Sequence, residues 1–157
     1  MGKEIERKFL VKRDVWKPRD EGTWYKQGYL NPQKERVVRV RIAGAKAMLT
    51  VKGLTRGVSR SEFEYPIPVE DAAALLDQIC EQPVIEKHRH KETHGGHTWE
   101  IDVFHGENEG LVVAELELKS ESEAFERPAW LGAEVSSDPR YFNSNLLKNP
   151  FKNWGKA

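Results

Sequence analysis

A single cysteine, Cys80, stands in 157 residues. It excludes a disulfide within the chain and a cysteine-built zinc site, and is expected to be a half-buried structural thiol. No apolar run approaches the ~18 residues of a membrane span or the ~7–15 of a signal sequence. The chain opens charged, Met1-Gly2-Lys3-Glu4-Ile5-Glu6-Arg7-Lys8, and Glu6 stands where a myristoylation signal favours Ser or Thr. A soluble, cytoplasmic protein with no membrane partner is expected. Net charge is missing too: 25 Lys and Arg balance 25 Asp and Glu. The overall attraction of a nonspecific nucleic-acid binder is therefore absent, and any anion site has to be local. Gly53 to Gly57 lacks the Gly-Lys-Ser/Thr ending of a phosphate-binding loop. There is no fixed-period repeat, low-complexity stretch or linker. The length and the 38% hydrophobic content fit one domain over 1–157, with residues 150–157 a loose tail.

What the chain does have is alternation. Glu4, Glu6 and Lys8 share one parity and Ile5, Phe9 and Val11 the other, which predicts a strand over 4–11 with one apolar face. The same pattern predicts strands over 37–43, 48–53, 60–66, 84–91, 99–103 and 111–119, with turns at Gly44-Ala45-Lys46, His94-Gly95-Gly96-His97 and Glu107–Gly110. Ala72, Leu75, Leu76 and Ile79 lie at helical spacing behind Glu70 and Asp71, predicting a helix over 70–80. A helix over 121–125 and a short one over 143–148 complete the expectation.

The charged faces of these seven strands carry eight acids (Glu4, Glu6, Glu62, Glu64, Glu100, Asp102, Glu115, Glu117) and eight bases (Lys8, Arg39, Arg41, Lys52, Arg60, Lys87, Arg89, Lys91). Two arrangements are compatible with that: a sheet whose charged face is wet, or a barrel closed with the charges inward. Segregation of sign by strand favours the barrel, because paired carboxylates would then face Lys and Arg across a narrow lumen. So many confined charges need compensation, which a polyanion and a divalent cation supply. Arg and Lys grip phosphate oxygens, and carboxylate pairs suit hard cations such as Mg²⁺ or Mn²⁺. Glu107/Glu109 and Glu121/Glu123 repeat the acid-x-acid spacing without an opposing apolar face, and read as solvated. His88, His90, His94, His97 and His105 read as surface histidines with no third metal ligand implied.

Glu4-Ile5-Glu6-Arg7-Lys8 also resembles the Glu-x-Glu-x-Lys signature of the CYTH superfamily, the triphosphate tunnel metalloenzymes. The resemblance continues in order through Gln27-Gly28-Tyr29-Leu30, Arg39-x-Arg41, Thr50-x-Lys52-Gly53, Glu62-x-Glu64, Glu86-Lys87-x-Arg89, Glu100-x-Asp102, Glu115-x-Glu117 and Asp138-Pro139-Arg140-Tyr141. It implies a mainly antiparallel α+β fold: a closed eight-stranded barrel, or tunnel, with a charged lumen and a few helices outside. It implies metal held by Glu4, Glu6, Glu115 and Glu117, with Glu62, Glu64 and Asp102 completing a second metal or water site. Phosphate binding falls to Lys8, Arg39, Arg41, Lys52, Lys87 and Arg89. Tyr29 is a candidate for proton handling or tunnel closure, although an ordinary phenol pKa near ~10 makes a poor base at neutral pH. The implied activity is Mg²⁺- or Mn²⁺-dependent hydrolysis of a small-molecule triphosphate, foremost inorganic triphosphate, by a monomer or homodimer. Adenylyl cyclase or thiamine triphosphatase activity is the alternative within the superfamily, and a non-catalytic polyphosphate-binding module is the alternative outside it.

Overall fold

Every segment with alternating charge is a β-strand in the computed structural model, which describes residues 2–146, 149–151 and 154. The strands are β1 (Gly2–Val11), β2 (Thr23–Asn31), β3 (Arg36–Ala43), β4 (Lys46–Gly53), β5 (Ser59–Ile67), β6 (Ile85–His94), β7 (His97–Phe104), β8 (Val112–Glu117) and β9 (Leu131–Glu134). They pair antiparallel in the order β5-β4-β3-β2-β6-β7-β8-β1, and the first half of β1 pairs back onto β5 with Glu4 opposite Arg60. Eight strands thus close into the expected barrel. The short β9 lies outside it against the second half of β1, with Phe9 opposite Glu134.

Closure puts each strand's alternation to use. Outward-facing Ile5, Phe9, Trp99, Ile101, Ala114 and Leu116 are buried under the segment that follows β8. On the opposite side α1 (Val69–Gln78) packs Ala72 and Leu76 onto Val40, Ile42 and Ala47. Gly28 of β2 permits that approach: a Cβ there would lie 3.0 Å from both Leu76 and Val84 and 3.1 Å from Cys80. Cys80 is buried, as a structural thiol, and burial pushes its pKa up.

A third apolar cluster lies inside. Tyr29, Val37, Ile85, Phe104 and Val113 share parity with Gln27, Arg39, Lys87, Asp102 and Glu115, so they face the lumen, where they pack with Tyr141 and Leu146. The lumen is therefore charged over the middle and one mouth and apolar at the other end. There the C-terminal segment closes it through the 3-10 turn Pro139–Tyr141 and α2 (Asn143–Leu146). Leu147 and Lys148 of the expected short helix, and residues 152–153 and 155–157 of the expected tail, lie outside the described residues. Phe151 and Trp154 pack on the lumen cluster.

Two expectations are corrected. No helix forms over 121–125: after one turn, closed by the Glu123 N–H on Ser120 O at 3.2 Å, the chain runs extended. The Glu123 carboxylate is drawn away by the Lys119 N–H (2.6 Å) and His97 (2.8 Å), and Phe125 by the rings of Phe9 and Trp99. His90 is not a surface residue: its ring is buried against Trp16, 5.4 Å between centroids. No helix among the described residues is long and apolar enough to cross a membrane.

Candidate active site

The charged part of the lumen encloses a cavity of about 240 Å³. Seven strands contribute the acids and bases that border it: Glu4, Glu6 and Lys8 from β1, Arg39 and Arg41 from β3, Lys52 from β4, and Arg60, Glu62 and Glu64 from β5. Arg89 of β6, Glu100 of β7, and Glu115 and Glu117 of β8 complete them, while Tyr29 faces them from β2. Because each of these residues points inward by strand parity, the close spacing of sequence-distant charges follows directly from closure. In register, Lys8 lies opposite Glu115 and Glu6 opposite Glu117.

The charges segregate within the cavity. On the acidic side Lys52 Nζ donates to Glu4 at 3.0 and 3.3 Å and pairs with Glu62 at 3.3 Å. Glu62 stands beside Glu4, and Glu115 beside Glu6, so that like charges face each other in both pairs. Burial and the neighbouring Glu115 push Glu6 well above the carboxylate range. Against burial's upward push, Lys8, the Glu6 hydrogen bond and Arg89 hold Glu115 well below it. Burial, then Glu4, raises Glu62, and burial with Glu4, Glu62 and Glu100 raises Glu117.

On the basic side the cations lack such partners. Arg39 reaches Thr50 Oγ1 at 3.4 Å and Glu64 only at 4.0 Å, and its buried Nε has no hydrogen-bond partner. Arg41 donates from Nε to Gln27 Oε1 at 2.8 Å and pairs with no carboxylate among the described residues; burial, Arg39 and Arg89 lower its pKa to about 10. Lys8 Nζ donates to the Tyr141 carbonyl at 3.1 Å. Tyr29 faces the fields of Arg39, Arg41, Lys8 and Arg60, yet burial prevails and raises its pKa.

Two residues of the expected site do not border the cavity. Asp102 is almost fully buried and accepts from Lys87 at 2.7 Å and from Arg89 at 2.7 and 2.9 Å. Lys87 is wholly enclosed and lies behind the wall with it, while Arg89 extends onward to Glu115 and Glu100, 3.2 Å each. Conversely, Arg60 and Glu100 border the cavity although the family signature assigns them no role; their parity already placed them on the charged faces. Ser136 and Asn143 also border it, carried there by the C-terminal segment with no local pattern to announce them.

The donor set fits a hard divalent cation. It is all oxygen, and the two facing carboxyl pairs, Glu4 with Glu62 and Glu6 with Glu115, are where positive charge would relieve repulsion. Among the described residues, no three His, Cys, Asp or Glu side chains stand together as a ready-made metal site. This matches an ion such as Mg²⁺, which is typically bound by one or two carboxylates and completes its shell with water and phosphate oxygens.

A closed barrel enclosing under-partnered arginines beside paired carboxylates defines a tunnel-type site suited to a multiply charged oxyanion. The chain belongs to the CYTH domain family, whose model matches residues 2–146. It is 54% identical over 154 residues to an inorganic triphosphatase of Acetivibrio thermocellus, spanning 98% of this chain and 99% of that protein. An inorganic triphosphatase of Nitrosomonas europaea is 36% identical over 149 residues, 91% of this chain and 95% of that one. The fold is similar to the crystal structure of an inorganic triphosphatase with a TM-score of 0.66 and 34% identity, covering 94% of this chain and 95% of that chain.

Proposed function

We propose that this protein hydrolyses inorganic triphosphate to pyrophosphate and phosphate with Mg²⁺ or Mn²⁺. The observation that carries the reading is the division of the cavity, with under-partnered Arg39 and Arg41 on one side and facing carboxyl pairs on the other. Lys8, Arg39, Arg41 and Arg60 take the phosphate oxygens, Arg by two-pronged hydrogen bonds, and align the chain for in-line attack. Lys52 and Arg89 hold the carboxylates apart from them in register. Glu4, Glu6, Glu62, Glu64, Glu115 and Glu117 are the residues that would hold the metal, which when bound neutralises charge developing on the phosphoryl oxygens. Carboxylates of this group not engaged in that task orient the water. Tyr29 donates its hydroxyl hydrogen to a phosphate oxygen and bounds the inner end. Lys87 and Asp102 act from behind the wall by fixing Arg89.

The small, polar cavity favours this substrate over nucleotides or thiamine triphosphate. About 240 Å³ is below the ~300–1,000 Å³ of pockets for drug-sized organic ligands, and among the described residues Tyr29 and Phe142 alone bring aromatic rings to its border. A merely binding module would have no use for the carboxyl pairs. The same reading has the protein acting in the cytoplasm on a small molecule, as a monomer or homodimer, without nucleic acid or membrane as partner.

Phosphate release from tripolyphosphate, ATP and thiamine triphosphate, each with Mg²⁺, Mn²⁺ or chelator, tests it. Metal-dependent release from tripolyphosphate above the other two is expected, and its absence would end the enzyme reading. In the same assay Glu4→Gln and Glu117→Gln should each lose at least about 100-fold in kcat/KM. Glu109→Gln, outside the lumen, should stay near the parent value. Equal losses at all three would refute the site.

A further inference from the structure

Two stretches of sequence have little use in the function proposed above: Gln27-Gly28-Tyr29-Leu30, apart from its tyrosine, and Asp138-Pro139-Arg140-Tyr141. The fold brings them together at the inner end of the cavity. Asp138 accepts the Arg140 N–H at 3.1 Å and so caps the 3-10 turn Pro139–Tyr141. Asn145 Nδ2 donates to Pro139 O at 2.9 Å, and the buried Leu146 anchors the next turn. That geometry starts α2 at Asn143 and delivers its side chain to the barrel wall.

Asn143 Oδ1 accepts two hydrogen bonds there, from Lys87 Nζ at 3.2 Å and from Gln27 Nε2 at 3.0 Å. Gln27, fully buried, in turn accepts from Arg41 Nε at 2.8 Å through Oε1. A carboxamide can be turned over, so its orientation is decided by its partners. The order here permits one solution, fixed at Arg41. Arg41 has only donors, so Gln27 must present its oxygen to it. That leaves the Gln27 NH₂ for Asn143, which must therefore present its oxygen, and Lys87 donates to the same oxygen. Turning either amide over would set N–H against N–H in a buried place.

Arg41 needs this hold. It has no carboxylate partner among the described residues and is flanked by Arg39 and Arg89; apart from Gln27 it has the ring of Tyr25, 4.9 Å away. With Nε tied down, both terminal nitrogens remain for an oxyanion in the two-pronged geometry at which arginine excels. We infer that Asn143 and Gln27 are positioning residues that aim Arg41 at the phosphate chain, with Lys87 holding the far end of the series, so that docking of the C-terminal segment and substrate binding are one event. The inference relies on the proposed function only for the identity of the anion.

Steady-state kinetics on tripolyphosphate and NMR of the Arg41 side chain test it together. Asn143→Leu should raise KM about tenfold, the loss of a fixed charge-assisted contact, with a smaller change in kcat. Asn143→Asp keeps both acceptor positions but adds a carboxylate at the border of the cavity, so it is read by NMR and not by KM. In an Arg41→Ala background, Asn143→Leu should add no further rise in KM. The Arg41 Nε–H resonance should exchange slowly with water in the parent and in Asn143→Asp, and fast in Asn143→Leu. An additive rise in the Arg41→Ala background, or a protected Arg41 signal in Asn143→Leu, would overturn the inference. The NMR readout needs no turnover, so it decides the matter even if tripolyphosphate is not the substrate.

Discussion

At the scale of single residues, the same alternation that made strands also made the site, since every charge that parity placed on the polar faces of β1, β3, β4, β5 and β8 borders the cavity. The exceptions are on β6 and β7. Lys87 and Asp102 share the inward parity but lie too deep to reach the cavity, paired with one another and, through Asp102, with Arg89, while Lys91, on the same face of β6, lies exposed beyond it. Periodicity reports direction and not depth, so nothing in the sequence could separate them from Arg89 and Glu100. Their depth has a consequence for pH. Burial, opposed by Asp102, lowers the Lys87 pKa to about 7, far below the 10.5 of a free lysine. Between those values the unfolded chain binds a proton that the folded one does not, so stability rises with pH from about 7 upward. Urea unfolding at pH 7, 8 and 9 should show the parent gaining on Lys87→Met, by up to about 1.4 kcal/mol per unit, the limit for one proton. A constant difference would mean that Lys87 stays charged. Either form still donates N–H to Asn143.

At the scale of elements, β1 and β3 to β8 were legible from their alternation, and α1 from its helical spacing, to within a few residues. β2 was not, because its faces are mixed: Tyr25, Gln27 and Tyr29 point in, while Trp24, Lys26 and Gly28 point out, which is neither clean alternation nor an apolar run. Gly28 looks like a weakness in a strand, yet it is what lets α1 lie close against the barrel. Gly28→Val should push α1 outward and cost about 1–3 kcal/mol. Gly53→Ala, whose new Cβ would meet nothing nearer than Ser61 at 3.7 Å, should be nearly neutral. Equal urea midpoints for the two variants would show that α1 is not seated by that contact. β9 and the segment over 119–130 were hidden for another reason. They owe their conformation to Phe125, Trp130 and Leu131 packing on the finished barrel, and have little preference of their own.

For the whole molecule, zero net charge conceals a strongly polarised interior. Seven carboxyls (Glu4, Glu6, Glu62, Glu64, Glu100, Glu115, Glu117) border the cavity with six cations (Lys8, Arg39, Arg41, Lys52, Arg60, Arg89), so the two signs are nearly level. The barrel should therefore keep its fold without metal. Circular dichroism should be unchanged by chelator, and tripolyphosphate added with chelator should still raise the melting temperature. At 100 times its dissociation constant the gain is about 2.7 kcal/mol, or roughly 5–10 °C for a chain of this size. No shift at saturating tripolyphosphate would remove the cations from substrate binding. Strand periodicity and the ordered acid and base pairs are local properties, so the sequence alone determined which segments are strands, which of their faces are charged, and what chemistry those faces suit. Whether those faces look inward, how deep each charge lies, which end of the tunnel is shut, and that Asn143 meets Gln27 and Lys87 depend on contacts between residues more than 50 positions apart. Only closure of the sheet and docking of the C-terminal segment decide those, because no local pattern encodes the distance between two strands that pair at opposite ends of the chain.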